Sequence, residues 1–148
     1  MRDSRLGTYG ALTLMVSFAA KFSALATLPS PLVVPALMSC HALARGILPA
    51  MVIMLPSARQ QGLAANSGTP TQTTAAIAAL TALVIALLVL PWTSALAAAL
   101  VAALCACAVG MLALRQIGGY TGDVLGAAEQ IAETAILLLL SALAWRAP

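Results

Sequence analysis

Long apolar runs separated by short polar, proline- or glycine-rich breaks make up almost the whole chain. The runs cover residues 10–28, 32–55, 75–90, 94–114 and 124–145. Each approaches the ~20 residues that an α-helix needs to cross a bilayer. Pro29 and Pro31 close the first run, Pro35 and Pro49 interrupt the second, and Pro91-Trp92 closes the third. Residues 56–74, rich in Gln, Ser, Thr and Gly, read as a loop. The pattern predicts an all-α integral membrane protein, a polytopic bundle of about five transmembrane helices, with residues 1–148 forming a single transmembrane domain.

Composition agrees with this pattern. The chain is 62% hydrophobic and only 7% charged, with a mean hydropathy of +1.03. A soluble domain is about half apolar and about a quarter charged. The net charge of +3 is spread over isolated cations, so it carries topology information rather than forming a nucleic-acid surface. Arg2 and Arg5 precede the first run, Arg59 follows the second and Arg115 follows the fourth, while the other two connections carry no charge. The positive-inside rule therefore places the N-terminus and both charged loops in the cytoplasm, with Arg146 as a single exception. Ala24-Leu25-Ala26 resembles a signal-peptide cleavage site, but Lys21 inside the apolar region and Asp3, Gly7 and Gly10 before it argue against cleavage. The three cysteines read as apolar filler; Cys105 and Cys107 lie ~200° apart around a helix and cannot readily close on one metal.

Polar chemistry concentrates in one stretch. Residues 115–133 hold Arg115, four of the ten glycines, and Asp123, Glu129 and Glu133 out of four carboxylates. Gly118-Gly119 can take positive φ and allow close ligand approach. Thr121 or Asp123 can cap the following helix, whose N-terminal N–H groups suit a phosphate. At 100° per residue, Gly122, Asp123, Gly126, Glu129, Gln130 and Glu133 share roughly a third of the helix circumference. Carboxylates on one face of an otherwise apolar helix are costly in lipid, which makes function the default reading.

At ~1.5 Å per residue, Lys21, Arg45 and Glu133 all lie ~15 Å from the cytoplasmic ends of their spans. Each unpaired charge costs on the order of 3 kcal/mol there. Glu133 is therefore expected to pair with Lys21 or Arg45 as a structural buttress. His41 is read as an interhelical hydrogen-bonding residue in preference to a catalytic base.

Ordinary nucleotide cradles, zinc sites and acyl-transfer elbows are excluded: the chain has no G-x-x-x-x-G-K-[ST], G-x-G-x-x-G, H-E-x-x-H or G-x-S-x-G. What remains is Asp3, Asp123 and Glu129, suited to Mg²⁺, with Arg2, Arg5, Arg59 and Arg115, suited to phosphate oxygens.

These residues occur in a recognisable order. Asp3-Ser4-Arg5-Leu6-Gly7-Thr8-Tyr9-Gly10 before a span with Lys21, Arg45 in the second span, Ala58-Arg59-Gln60-Gln61-Gly62-Leu63 in the loop, and Gly118-Gly119-Tyr120-Thr121-Gly122-Asp123-Val124-Leu125-Gly126-Ala127 with Glu129 and Glu133 resemble the cobalamin synthases, adenosylcobinamide-GDP ribazoletransferases. The resemblance runs along essentially the whole chain. It implies a multi-pass enzyme of the bacterial inner membrane, active on its cytoplasmic side. Such an enzyme uses Mg²⁺ to join α-ribazole, or its 5′-phosphate, to adenosylcobinamide-GDP with release of GMP. On this reading Asp3 and Asp123 hold metal or orient the attacking hydroxyl, and Glu129 is a further metal ligand. Arg5, Arg59 and Arg115 bind phosphates, and Gly118, Gly119, Thr121 and Gly122 allow close substrate approach. The family also has an acidic motif upstream of the Asp-Ser-Arg segment that this chain does not contain. The expectation is a C-terminal portion that works with a missing N-terminal segment or complementary chain and is nearly inactive alone. A small transporter or channel subunit, or a non-catalytic partner chain, is the alternative.

Overall fold

The computed structural model describes residues 8–58 and 68–145, so Asp3, Arg5 and Arg59 lie outside the described residues. Six helices form among the described residues: α1 Thr8–Thr27, α2 Ser30–Gly46, α3 Leu48–Met54, α4 Gln72–Val89, α5 Trp92–Ile117 and α6 Gly122–Trp145. With α2 and α3 counted as one span, Ser30–Met54, five helical segments are long and apolar enough to cross a membrane. The protein is an all-α polytopic bundle, and no strand occurs among the described residues.

Prolines and glycines set the boundaries. Pro29 precedes α2 and Pro91 precedes α5, each joining neighbouring spans through a turn of minimal length. Thr71 Oγ1 accepts the Thr74 N–H at 3.1 Å, so α4 begins three residues ahead of the sequence expectation at 75. Gly118, at φ 77°, ends α5 in the left-handed conformation that favours glycine.

The second span departs from expectation in where it breaks. Pro35 lies inside α2 without interrupting it, because only the first-turn bond to the Pro31 carbonyl is lost. The break falls after Gly46, since Pro49 has no N–H to give the Arg45 carbonyl. Gly46 is also where α2 presses on α4: a Cβ there would meet Ala82 and stand 3.0 Å from the Ala78 carbonyl oxygen.

Small residues hold the helices together. On α5, Ala95, Ala98, Ala102, Ala106, Gly110 and Ala113 form a buried stripe, the close-packing device used where lipid supplies no hydrophobic drive. The main core joins Ala36 and Cys40 of α2, Ala82 and Ala86 of α4, and Ile136 and Leu137 of α6. The α6 helix is central, packed against α1, α2 and α5. Leu12, Met15, Phe18 and Phe22 of α1 point outward, as a lipid-facing side requires.

The two sets of connections sort to opposite ends. Leu28, Leu90, Pro91 and Leu140 line one small cavity, placing the α1–α2 and α4–α5 turns together. At the other end the α3–α4 and α5–α6 connections pair directly. Tyr120 N–H donates to the Pro56 carbonyl oxygen at 2.9 Å, and Ala58 N–H to the Tyr120 carbonyl oxygen at 3.0 Å.

Candidate functional site

The paired loops build one end of an open furrow. Thr121 caps α6, its Oγ1 accepting the Val124 N–H at 3.3 Å, so Asp123 falls in the first turn, where a carboxylate suits the helix dipole. From there Gly122, Gly126, Glu129 and Glu133 follow one another along one face of α6. A Cβ at Gly122 or Gly126 would meet nothing within 4 Å, so this face fronts open space.

Cations from both flanking helices meet that face. Glu133, with its side chain only 3% exposed, accepts from Lys21 Nζ of α1 at 2.6 Å through Oε2. Its Oε1 lies 2.7 Å from His41 Nδ1 of α2. One turn nearer the loops, Arg45 Nε donates to Glu129 Oε1 at 2.7 Å. The two α2–α6 pairs share a register: His41 and Arg45 are four residues apart, as are Glu133 and Glu129, and the two helices run in opposite directions. Lys21 Nζ also donates to Gln130 Oε1 at 2.7 Å.

Of the two partners considered for Glu133, the structure brings in Lys21, while Arg45 goes to Glu129. The interhelical hydrogen bond expected of His41 is made, to Glu133, but sequence reasoning named neither that partner nor the pairing of Arg45 with Glu129. Their equal four-residue spacing with the two glutamates was the signal available, since a helix pair in opposite directions brings both couples together at once.

A cleft of about 570 Å³ lies beside the Arg45–Glu129 pair, bounded by Leu48 and Pro49 at the helix break, Gly68–Pro70, Tyr120 and Leu125. Its volume is in the usual range for small-molecule sites, ~300–1,000 Å³. Arg115, in the last turn of α5, is exposed at the same end.

The loop glycines divide by role. Gly118 serves the helix terminus. At Gly119 the close approach is made by the chain's own backbone: a Cβ there would run into the Pro56 carbonyl group. Space for a ligand is instead found over Gly122 and Gly126.

The candidate metal ligands do not gather. Among the described residues, no three His, Cys, Asp or Glu side chains come together to hold a metal ion. Asp123 and Glu129 are six residues apart on one helix, ~9 Å along its axis, and Glu129 is bonded to Arg45. The described residues therefore do not fit a Mg²⁺ centre by themselves, and offer Asp123 as the one carboxylate of the furrow without an ion-pair partner among them.

Comparison with known proteins gives the family. The family model for cobalamin-5-phosphate synthase matches residues 1–141. The adenosylcobinamide-GDP ribazoletransferase of Bradyrhizobium diazoefficiens is 43% identical over 143 residues, 96% of this chain and 55% of that protein. Its namesake from Mesorhizobium japonicum is 42% identical over 142 residues, 95% of this chain and 54% of the relative. The Rhizobium etli protein of that name is 39% identical over 149 residues, again 95% of this chain, and 57% of the relative. The chain thus spans about half the length of the curated relatives it matches. No solved structure matches. With five membrane-spanning segments and a family match from its first residue to residue 141, the chain belongs to the cobalamin-5-phosphate synthase family of multi-pass membrane proteins.

Proposed function

We propose that this chain forms part of an adenosylcobinamide-GDP ribazoletransferase, and that the furrow along α6 is where the transfer takes place. The observation that carries the reading is the run Asp123, Gly126, Glu129 and Glu133, faced by cations and open space, in a chain matching proteins of that name. A hydroxyl of α-ribazole, or of its 5′-phosphate, attacks the phosphorus that carries cobinamide. A new P–O bond forms, the P–O bond to GMP breaks, the hydroxyl proton passes to solvent or a base, and GMP leaves.

Such a displacement gathers negative charge on phosphoryl oxygens, so catalysis consists of positioning and neutralisation. Arg115 supplies a cation at the loop end, and the missing Cβ atoms of Gly122 and Gly126 let a substrate lie against the helix. Asp123 orients the attacking group or contributes one carboxylate to Mg²⁺, which when bound would neutralise phosphoryl charge. Asp3, Arg5 and Arg59, outside the described residues, belong to the same assembly on this reading. Both charged loops lie on the cytoplasmic face of the bacterial inner membrane, as the positive-inside rule requires.

The test is GMP release from adenosylcobinamide-GDP, α-ribazole and Mg²⁺. Membranes containing this chain would be assayed alone and with the remainder of the Bradyrhizobium relative co-expressed. Mg²⁺-dependent release in either case supports the assignment. No release in both would overturn it.

A further inference from the structure

Arg45 is unusual for a cation well inside a membrane-spanning segment. It lies nine residues from the end of α3 at Met54, ~13 Å along the helix axis, yet its side chain is 68% exposed. A structural ion pair at that depth should be enclosed, because a charge facing acyl chains is costly. Here only one edge of the guanidinium is engaged: Nε donates to Glu129 Oε1 at 2.7 Å, and Glu129 is its one ion-pair partner among the described residues. The two Nη groups carry four further N–H donors, and Arg45 helps to line the cleft.

The helix break supports this placement. With Gly46 clamped against α4 and the chain turning at Ile47, Arg45 is the last side chain of α2 before the floor formed by Leu48 and Pro49. Its backbone is thereby fixed, and Glu129 fixes the plane of the fork. A planar fork whose Nη donors have no ion-pair partner among the described residues, at the edge of a cleft, is the group that binds phosphate bidentately.

We propose that Arg45 is the anion-binding group of the cleft, seating a phosphate or pyrophosphate of the substrate, and that Glu129 is its positioning residue rather than a metal ligand. The identification of that anion as part of the transferred substrate rests on the transferase reading above; the anion seat itself does not. The seat lies about two helical turns inside the spanning region, which suits a substrate whose charged group enters beside a bulky amphipathic body.

The test uses the purified chain with inorganic pyrophosphate as the probe, titrated calorimetrically in a maltoside detergent. Saturable binding is expected, weakened at least tenfold by Arg45→Gln and several-fold by Glu129→Gln. Because either single change strands a charge and can impair folding, the neutral pair Arg45→Met with Glu129→Met is the decisive variant. It should fold, as replacement of both ion-pair partners usually permits, and should not bind pyrophosphate. Undiminished binding by the double variant, or no saturable binding by the unaltered chain, would overturn the proposal. A lipid headgroup carries the same chemistry, so the titration is repeated in nanodiscs containing phosphatidylglycerol. Retained binding supports the substrate assignment, and loss of binding there assigns the seat to lipid and overturns it.

Turnover separates the two readings. In the co-expressed assembly, Glu129→Gln should raise the KM for adenosylcobinamide-GDP several-fold and leave the Mg²⁺ concentration for half-maximal rate unchanged. A rise in that Mg²⁺ requirement would make Glu129 a metal ligand and defeat the positioning role. Arg45-dependent pyrophosphate binding without any GMP release would defeat the transferase reading and leave the anion seat standing.

Discussion

Tyr120 and Pro56 are joined through their backbones, the Tyr120 N–H donating to the Pro56 carbonyl oxygen at 2.9 Å. This bond ties the only two connections with described residues at the charged end, and it brings Gly119 so close to Pro56 that a Cβ would collide with the carbonyl. Gly119→Ala is therefore expected to lower stability by about 1–3 kcal/mol, the range for forced overpacking. Gly122→Ala, whose Cβ meets nothing within 4 Å, should leave it unchanged. Thermal unfolding of both variants in detergent checks the difference; equal effects would contradict the pairing.

Glu133 balances Lys21 on one oxygen and meets His41 on the other. Glu133→Gln strands Lys21 inside the bundle, and Lys21→Met strands Glu133. Each should cost on the order of 3 kcal/mol, because one partner of a buried pair is left unpaired. The combined variant should recover much of the loss. Folded yield by size-exclusion chromatography is the readout. If Glu133→Gln left the yield untouched while Lys21→Met collapsed it, the pairing would not be what holds these helices.

The architecture was legible because lipid imposes a simple code. Length and hydropathy predict spans, and the prolines at 29 and 91 end them where the chain turns. Boundaries moved by three residues at each of Thr71 and Gly118, where a side-chain cap starts one helix and a left-handed glycine ends another outside the apolar pattern. The polar face of α6 followed from its periodicity. Which cation meets which carboxylate did not, because depth alone leaves Lys21 and Arg45 interchangeable; the register between α2 and α6 decides it. Gly119 was ambiguous for a related reason: a glycine marks a close approach without saying whether ligand or backbone makes it.

Gly46 sets the position of Arg45 by letting α2 touch α4 just ahead of the break. Gly46→Val should push the two helices apart at a cost of about 1–3 kcal/mol. It should also weaken pyrophosphate binding, since the Arg45 backbone moves with it. Unfolding temperature and calorimetric titration on one preparation test both, and an unchanged pair of values would show that the contact is not restrictive.

On the proposed reading the open face of α6 receives the reacting groups, and Gly126 is the position to alter because that face has room for a side chain. The measurement is GMP release from adenosylcobinamide-GDP with α-ribazole and Mg²⁺, by the chain co-expressed with the remainder of the Bradyrhizobium relative, before and after Gly126→Leu. The expected result is Mg²⁺-dependent release by the unaltered chain, and a rate at least tenfold lower for the leucine variant at the same folded yield. Equal rates from the two, or no release by the unaltered assembly, would rule out transfer on this face.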